Sequence, residues 1–372
     1  MTIRTVLCSL LVFAPLACAP KADTATPEPT PAPAPVVKKP VQPIPDGFRA
    51  ITPQLTVKGV DAAVDFYIKA FAAKKLFTMP GPDGKTMHAE LMIGDSIVFL
   101  DEEMNGNKSP LTLGGTPVVL HLFVPDADAV FATAPAAGAR ADKPVAEGFW
   151  GDRYGEVTAP DGHRWAIAQH VEDVTDAQIK ERAAIMFAAA SKKGKKAKVA
   201  KDAAPAWKKI AGTPSTQAVP AGYHTVTLSV VVSKAAEAID FYKSAHGARE
   251  VDRMLAPDGK VLHATLDFGD SRLMLGDEML EMGLKSATTL GGSPVAIHYY
   301  VTDADAAFTK VTGAGAKVVM PLTDMFWGDR YGAATDPAGL TWGFATHKED
   351  VTPEQMAERM KADSAAQAKP TT

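Results

Sequence analysis

Cysteine is nearly absent from this chain of 372 residues, because its 2 cysteines, Cys8 and Cys18, both fall within the first apolar segment. The rest of the chain therefore has no thiol for a disulfide or a cysteine-bound zinc ion. Charge of one sign is not in excess either, since the formal net charge is -4 at pH 7. This removes any general attraction to nucleic acid, and we predict no nucleic-acid partner. Nucleophile elbows, phosphate-binding loops and zinc-ligand spacings are also missing.

Long hydrophobic runs are scarce as well, apart from the one that follows Arg4 and extends from Val6 to Leu16. A positive charge, a short apolar stretch and small residues after it are typical of an export signal, and the run is too short to be a convincing membrane span. The segment Leu16-Ala17-Cys18 resembles a bacterial lipobox, which makes Cys18 the acylated first residue. The alternative is plain secretion after Ala17-Cys18-Ala19, and the least favoured reading is a cytoplasmic protein with a chance apolar start.

We therefore predict a signal at residues 1–18 and a lipid-anchored protein on the periplasmic side of the cell envelope, with secretion as the alternative. Residues 19–48 are rich in proline and alanine and show no apolar periodicity. Proline fixes the backbone and removes hydrogen-bond donors, so this segment is predicted to be an extended tether. Its role would be to hold the folded part away from the membrane.

A duplication dominates the rest of the sequence. The heptapeptide FWGDRYG occurs at Phe149–Gly155 and again, unchanged, at Phe326–Gly332. Other stretches recur in the same order, among them Asp-Phe-Tyr, PDGKTMHAELMIGDS against PDGKVLHATLDFGDS, and LTLGGTPVVLHLFV against TLGGSPVAIHYYV. The sequence therefore predicts two copies of one domain. The predicted segments are domain 1 at 49–175, a helix and basic linker at 176–222, domain 2 at 223–352, and a C-terminal helix and tail at 353–372.

Each copy contains an inner repeat as well. A strand and a helix are followed by alternating apolar residues between Pro-Asp-Gly turns, which predicts three antiparallel strands. With Asp-Phe-Tyr, Gly-Asp-Ser, FWGDRYG and PDGHRW in this order, the sequence resembles the glyoxalase/bleomycin resistance/dioxygenase (vicinal oxygen chelate) superfamily, in particular its 3-demethylubiquinone-methyltransferase-like branch. The resemblance implies an α+β fold of two tandem glyoxalase-like domains, each of two βαβββ modules forming a cupped sheet. Ligands of the family sit in the cup, and many members pair two chains, so we expect the repeats to pair like a dimer.

Metal-dependent members of this superfamily place nitrogen or oxygen ligands at fixed strand positions. The resemblance puts these positions on Thr52, Phe99, Val119 and Ala166 in the first copy, and on Thr227, Met274, Ala296 and Gly343 in the second. Only the threonines carry a side-chain oxygen, and a neutral hydroxyl is a poor metal ligand. We therefore predict no metal and no cofactor. A less favoured alternative is a two-histidine, one-carboxylate set made of His88, Glu90 and His121, which would be incomplete in the second copy.

FWGDRYG has two interpretations. It is either a tight corner with an aromatic plug and an internal ion pair, in which Arg153 can pair with Asp152, or a pocket rim that stacks on a planar ligand and binds its acidic group. Histidines that recur between the copies, and the tryptophans Trp165 and Trp342, are further candidates for lining the cups. The alternatives are hydrogen bonds within a polar sheet face for the histidines and plain core packing for the tryptophans. The candidate ligand-contacting residues are His88, Glu90, His121, Trp150, Arg153, Tyr154, Trp165, His263, His298, Trp327, Arg330, Tyr331 and Trp342.

Three functions remain open. The first is a metal-independent protein that binds and sequesters a small, partly apolar and acidic molecule. The second is a metal-dependent lyase, isomerase or dioxygenase that uses the non-standard His88–Glu90–His121 set. The third is an interaction module of the cell envelope without a small ligand. We rank them in this order.

Overall fold

The computed structural model describes residues 41–81, 83–193 and 205–367. The predicted signal, most of the predicted tether and the predicted acylation site Cys18 lie outside the described residues. Within the described part of the chain, no helix is both long and apolar enough to cross a membrane.

The first copy contains two modules, each with the strand–helix–three-strand order that the sequence predicts. The bounds of module I and of the short helix after it are β1 (Ile51–Val57), α1 (Val60–Phe71), β2 (Lys74–Pro80), β3 (Thr86–Ile93), β4 (Ser96–Glu102) and α2 (Pro110–Leu113). Module II and the elements that follow it are β5 (Val118–Phe123), α3 (Ala127–Ala136), β6 (Arg140–Glu147), β7 (Asp152–Thr158), β8 (Arg164–His170), β9 (Glu172–Asp173) and α4 (Asp176–Lys193).

The second copy repeats this order after a short 3-10 turn at Ala206–Lys209 and the strand β10 (Thr213–Pro214). Module III comprises β11 (Val226–Val232), α5 (Ala235–Phe241), a π-helical turn at Tyr242–His246, β12 (Arg249–Leu255), β13 (Val261–Phe268) and β14 (Ser271–Asp277). A 3-10 turn at Leu280–Met282 and α6 (Ala287–Leu290) follow. Module IV comprises β15 (Val295–Tyr300), α7 (Ala304–Gly313), β16 (Lys317–Asp324), β17 (Asp329–Thr335) and β18 (Thr341–His347), and α8 (Pro353–Gln367) comes last.

The modules combine into two sheets of eight strands, and each sheet takes one module from each copy. Sheet A has the order β16-β17-β18-β15-β1-β4-β3-β2, and sheet B has the order β12-β13-β14-β11-β5-β8-β7-β6. The join in sheet A is the antiparallel pair β1–β15, in which Thr52 lies opposite His298. In sheet B, β11 pairs in the same way with β5, and Thr227 lies opposite His121. The α+β fold with two tandem domains is confirmed, and the cups are built between the copies.

The two Gly-Asp-Ser turns fix this exchange of modules. The backbone N–H groups of Ala50 and Ile51, at the start of β1, donate to Asp270 and Ser271 of the second copy. Thr225 and Val226, at the start of β11, donate likewise to Asp95 and Ser96 of the first copy. Burial opposes ionisation of Asp95, but the hydrogen bonds from Thr225 and His224 outweigh it and lower the pKa of Asp95 to about 2. Each copy thus caps the first strand of the other.

The helices cover one face of each sheet. Helix α1 buries Val60, Val64 and Tyr67, which recur at helical spacing and pack into the main hydrophobic core. The opposite face of each sheet, turned away from the helices, is the cup. We call these faces cup A (on sheet A) and cup B (on sheet B).

Candidate functional site

Cup A contains a polar cluster built from the hairpin β3–β4 and the neighbouring strand β1. The imidazole Nδ1 of His88 donates to Asp101 at 2.7 Å, and its Nε2 lies 3.7 Å from a carboxylate oxygen of Glu90. The second oxygen of Asp101 accepts from Gln54 at 2.7 Å. Burial works against the charged imidazole, but the two carboxylates outweigh it and raise the pKa of His88 to about 9. His88 is therefore an imidazolium at neutral pH.

Beside this cluster lies His298, on the other copy's strand β15. Its ring is 5.4 Å from Phe99 and 4.6 Å from Tyr300, and Tyr331 stacks on it with an interplanar angle of 18°. His298 is 5% exposed, and among the residues that the structure describes its buried Nε2 has no hydrogen-bond partner. Burial lowers the pKa of His298 to about 4, against the opposing effect of Asp329, Asp101 and Glu90. The ring is neutral, and the unpartnered nitrogen is a group that a ligand could satisfy.

Cup B places the equivalent residues around a different polar centre. His121 lies 5.8 Å from Tyr154, and His263 contacts Thr265 at 3.0 Å. Burial, together with the neighbouring His263, lowers the pKa of His121 to about 4. Each cup thus holds one histidine from each copy.

Glu156 organises the polar centre of cup B. It accepts from Lys143 at 2.5 Å, from the hydroxyl of Tyr154 at 2.7 Å and from Arg164 at 2.8 Å. Burial raises its pKa, but these three donors outweigh burial and the net shift is downward. This centre of cup B therefore has two cations in contact with one carboxylate.

The predicted set of His88, Glu90 and His121 is wrong as a single site. His88 and Glu90 do share a face, as their spacing on β3 predicts, but His121 lies on β5 in sheet B. The prediction assumed that the two modules of one copy share a cup, whereas the cups form between copies. Among the described residues, no three His, Cys, Asp or Glu side chains are placed to hold a metal ion.

The family's metal positions also fail a test of fit in both cups. Because each sheet combines a module from each copy, four of these positions meet in each cup. They are Thr52, Phe99, Ala296 and Gly343 in cup A. In cup B they are Thr227, Met274, Val119 and Ala166. Neither set supplies a nitrogen or charged oxygen donor. In cup A the ring of Tyr331 also lies so close to Gly343 that even a Cβ atom there would overlap it. The residues present do not suit the family's divalent metal.

FWGDRYG forms a tight turn before β7 that contacts the segment after β8. Asp152 accepts from Trp150 at 2.9 Å and from His170 at 2.7 Å. Gly151 has a positive φ of 103°, and a side chain there would overlap the carbonyl oxygen of Glu172. The same contacts recur around Asp329 and Gly328 in the second copy. The predicted tight corner is therefore present in both copies, whereas the internal ion pair is not, because Arg153 pairs with Asp128 of α3.

The two arginines of the heptapeptides are not available to bind an acidic ligand in the cups. Arg153 makes a two-pronged contact with Asp128, at the start of α3, at 2.9 and 2.8 Å. Arg330 makes the equivalent contact with Asp305, at 3.1 and 2.8 Å. Both guanidinium groups are therefore already paired with a helix of their own module. Tyr154 and Tyr331, in contrast, do reach the cups.

Trp165 and Trp342 do not line the cups, which corrects the prediction for both. Trp165 is 0% exposed and packs on Tyr67 and Phe71, on the helix side of sheet B. Trp342 is 1% exposed and packs in the same way on Tyr242. Side chains alternate between the faces of a strand, so Ala166 and Gly343, the next residues, face the cups instead.

A strap that the sequence analysis did not identify crosses the rim of cup B. Trp207, in the 3-10 turn before β10, is 7% exposed and clusters with Phe149, Ala183 and Met254. Met254 lies opposite His263 and so belongs to the cup face of β12, while Phe149 precedes β7 near the other edge of the sheet. Arg182 of α4 lies beneath Trp207, with its guanidinium 5.3 Å from the ring centre. We call Asp176–Lys193 together with Ala206–Lys209 the strap.

The polar neighbours Gln54, Asp101 and Glu156 were also missed. One signal was available for Asp101. Gly94 and Asp95 form a two-residue hairpin loop, which places Ile93 opposite Ser96 and so His88 opposite Asp101. No comparable local signal identifies Gln54, because its neighbours come from strands distant in the sequence.

Comparison with known proteins agrees with this architecture. The sequence model of the Glyoxalase/Bleomycin resistance protein/Dioxygenase superfamily matches residues 49–167 and 223–344. The chain belongs to this superfamily. Glyoxalase I from Zea mays has a similar structure, with 15% sequence identity and a TM-score of 0.50, over 86% of this chain and 97% of that chain. At this identity the likeness concerns the fold alone.

Curated superfamily relatives resemble single copies. The uncharacterized protein Mb0911c of Mycobacterium bovis is 47% identical over 130 residues, which cover 34% of this chain and 86% of that protein. The uncharacterized protein At5g48480 of Arabidopsis thaliana is 36% identical over 135 residues, which cover 34% of this chain and 80% of that protein. Neither name assigns an activity.

Proposed function

We propose that the chain is a metal-independent binding protein that holds a small molecule in a cup. The observation that carries the proposal is the composition of the cup centre. At the family's metal positions both cups have threonine hydroxyls and apolar groups, while polar and aromatic groups surround those positions. Such a surface, mostly apolar with a few convergent polar groups, suits ligand binding. No residue is assigned a catalytic role.

Elemental analysis and ligand screening test the proposal together. The chain from residue 41 onward is purified without chelator or affinity metal, and its metal content is measured before and after incubation with zinc, nickel, manganese and iron. We expect no stoichiometric metal in either state. A thermal-shift screen of small organic molecules is expected to give hits, since a ligand at 100 times its Kd stabilises the folded state by about 2.7 kcal/mol.

Two results would overturn the proposal. About one tightly bound transition metal per chain would restore a metal-dependent reaction as the leading function. Failure of a chemically diverse screen to give any saturable hit would favour an interaction module of the cell envelope.

Export and lipid anchoring are a separate part of the proposal, supported by the order of charge, apolar run and Leu16-Ala17-Cys18 at the start of the sequence. A Cys18→Ala variant, expressed in a bacterium fed with labelled fatty acid, is expected to lose the label and the membrane association. If the wild-type chain takes up no label but appears in the soluble periplasmic fraction, plain secretion replaces lipid anchoring.

A further inference from the structure

The charge of cup A differs from that of cup B. Strands β1, β3, β4, β15 and β18 of sheet A contain no lysine or arginine, whereas β14 and β8 of sheet B contribute Arg272 and Arg164. The His88 cluster of cup A has two carboxylates, Glu90 and Asp101, against one imidazolium, while the nearby Asp329 is paired with His347. One negative charge is left over in a partly buried place. A positively charged group is the natural complement of such a site.

The two carboxylates of cup A, Asp101 and Glu90, differ in the hydrogen bonds that they accept. Asp101 accepts hydrogen bonds from both His88 and Gln54, at 2.7 Å each. In the segments that the structure describes, Glu90 has one polar neighbour within 4 Å, the imidazole Nε2 of His88 at 3.7 Å, which is too long for a hydrogen bond. The Glu90 side chain is 26% exposed, so a ligand can reach it. Its counterpart in cup B is Thr265, which carries no charge.

Aromatic rings border the same space. Phe99 lies 5.3 Å from His88 and 5.4 Å from His298, and Phe48 contacts both Phe99 and Tyr300. Ring faces attract cations and also stack on planar apolar groups. The unpartnered Nε2 of His298 is an independent sign of a ligand, because a buried polar atom without a partner is rare and costly. A neutral imidazole nitrogen without a proton accepts a hydrogen bond from an ammonium N–H.

We infer that cup A is the ligand site and that its ligand is a small organic cation, an amine on a planar apolar body, with the positive charge next to Glu90. This inference rests on the proposed binding function and makes it more specific. It also replaces the acidic ligand predicted from Arg153 and Arg330, since both arginines are paired outside the cups.

Three probes with the same ring system test the inference on the full chain: 1-naphthylmethylammonium, 1-naphthalenemethanol and 1-naphthoate. Binding is measured at neutral pH by fluorescence anisotropy and checked by calorimetry. The ammonium is expected to bind at least about 10-fold more tightly than the neutral alcohol, and the carboxylate most weakly. The preference should fall as salt is added, because exposed charge interactions are screened.

Variants at one strand position assign the preference to cup A. Glu90→Gln keeps the shape of the side chain and removes its charge, so it is expected to lower ammonium binding about 10-fold and leave alcohol binding unchanged. Thr265→Val, at the equivalent position of cup B, is the matched control and should change neither. If Glu90→Gln does not fold, Asp101→Asn replaces it, and the ring-proton NMR signals of His298 in the wild-type chain must shift on addition of the ammonium.

The possible failures are distinguishable. Tighter binding of the carboxylate, a preference that survives Glu90→Gln, or a preference lost in Thr265→Val would each overturn the inference. Binding of none of the probes, with neutral or acidic hits in the screen, would also overturn it while the binding function stands. Only a screen without any hit removes both.

Discussion

His88 lies between two carboxylates, and this placement determines its charge. In the folded protein Glu90 and Asp101 face it from β3 and β4, while Gln54 and Phe99 complete its surroundings. The pKa of His88 is raised from 6.5 to about 9. The protonated ring therefore stabilises the folded state fully below about pH 6.5, and this contribution disappears as the pH rises through about 9. Its size is on the order of 3 kcal/mol, since one pKa unit corresponds to about 1.4 kcal/mol.

Urea unfolding of the wild-type chain and of His88→Gln, at about pH 6 and about pH 9.5, measures this contribution. We expect the wild type to be the more stable by a few kcal/mol at the lower pH, and the difference to shrink strongly at the higher pH. His170 and His347, whose pKa values are also raised, are present in both proteins and cancel in the difference. His263→Gln is the control: because burial lowers the pKa of His263, the wild type should gain stability relative to this variant as the pH rises, the opposite sign to His88→Gln. A pH-independent effect of His88→Gln would contradict the assignment.

For single residues, the sequence predicted which side of a strand a side chain lies on better than which residues it contacts. That His88 and Glu90 share a face follows from the two-residue period of a strand, and the structure confirms it. For Trp165 and Trp342 both the cup and the core remained open, because tryptophan suits a pocket as well as a core and composition does not distinguish the two. Their neighbours Ala166 and Gly343 lie on the cup face. Their small size is compatible with either face, so it gave no indication of the strand's orientation.

Among the elements, the strap makes the surroundings of Arg182 in the first copy different from those of its equivalent, Arg359, in the second. Arg182 is 1% exposed; it donates to Ile210, to the carbonyl of Phe149 and to Glu172, and it lies against Trp207. Arg359, its counterpart on α8, pairs with Glu349 and is 37% exposed. Removal of a buried arginine with several hydrogen bonds leaves its buried partners without a donor, and this costs far more than the loss of an exposed ion pair.

We therefore expect Arg182→Ala to lower the free energy of unfolding by about 3 kcal/mol or more, because it leaves Glu172 and two carbonyl groups without their donor. Arg359→Ala is the matched control and should cost about 1 kcal/mol or less. Equilibrium denaturation of both variants measures the difference. Equal effects would show that the strap does not bury Arg182 in solution.

The strap could not be predicted, because its contacts join positions that are distant in the chain. Helix α4 itself was expected from its pattern, as was the basic linker after it. Trp207, in contrast, stands in a polar stretch without periodicity, so nothing local indicated that it would be buried against Phe149 and Met254.

For the whole molecule, the exchange of modules makes the two copies dependent on each other. Leu55 on β1 and Leu228 on β11 are equivalent core residues, 0% and 1% exposed. Leu55→Ala is expected to cost about 2–5 kcal/mol, the usual range for a buried leucine. Since β1 pairs with β15, hydrogen exchange should become faster in Val295–Tyr300 of the second copy as well as in β1.

Leu228→Ala gives the reciprocal experiment, with faster exchange expected in Val118–Phe123 of the first copy. Mass spectrometry of peptides from both copies provides the measurement. If each variant affects only its own copy, the sheets are not shared as described.

The repeats and the order of the four modules were predicted from the sequence, and the fold class is confirmed. The sequence did not predict which modules share a sheet, because β1 and β11 have similar apolar patterns and either could pair with β5 or β15. The Gly-Asp-Ser turns stabilise the observed pairing through contacts at Asp95 and Asp270 that link the copies, but they have the same sequence in both copies and so gave no signal of it.

Fusion of the copies has a consequence for how the two binding faces can diverge. In a symmetric dimer of one-copy chains, every substitution appears in both faces at once. Here each face draws on a different pair of modules, so an acid can be introduced at residue 90 while residue 265 stays a threonine. One face is then free to acquire a ligand preference, and the other can be given over to supporting the framework.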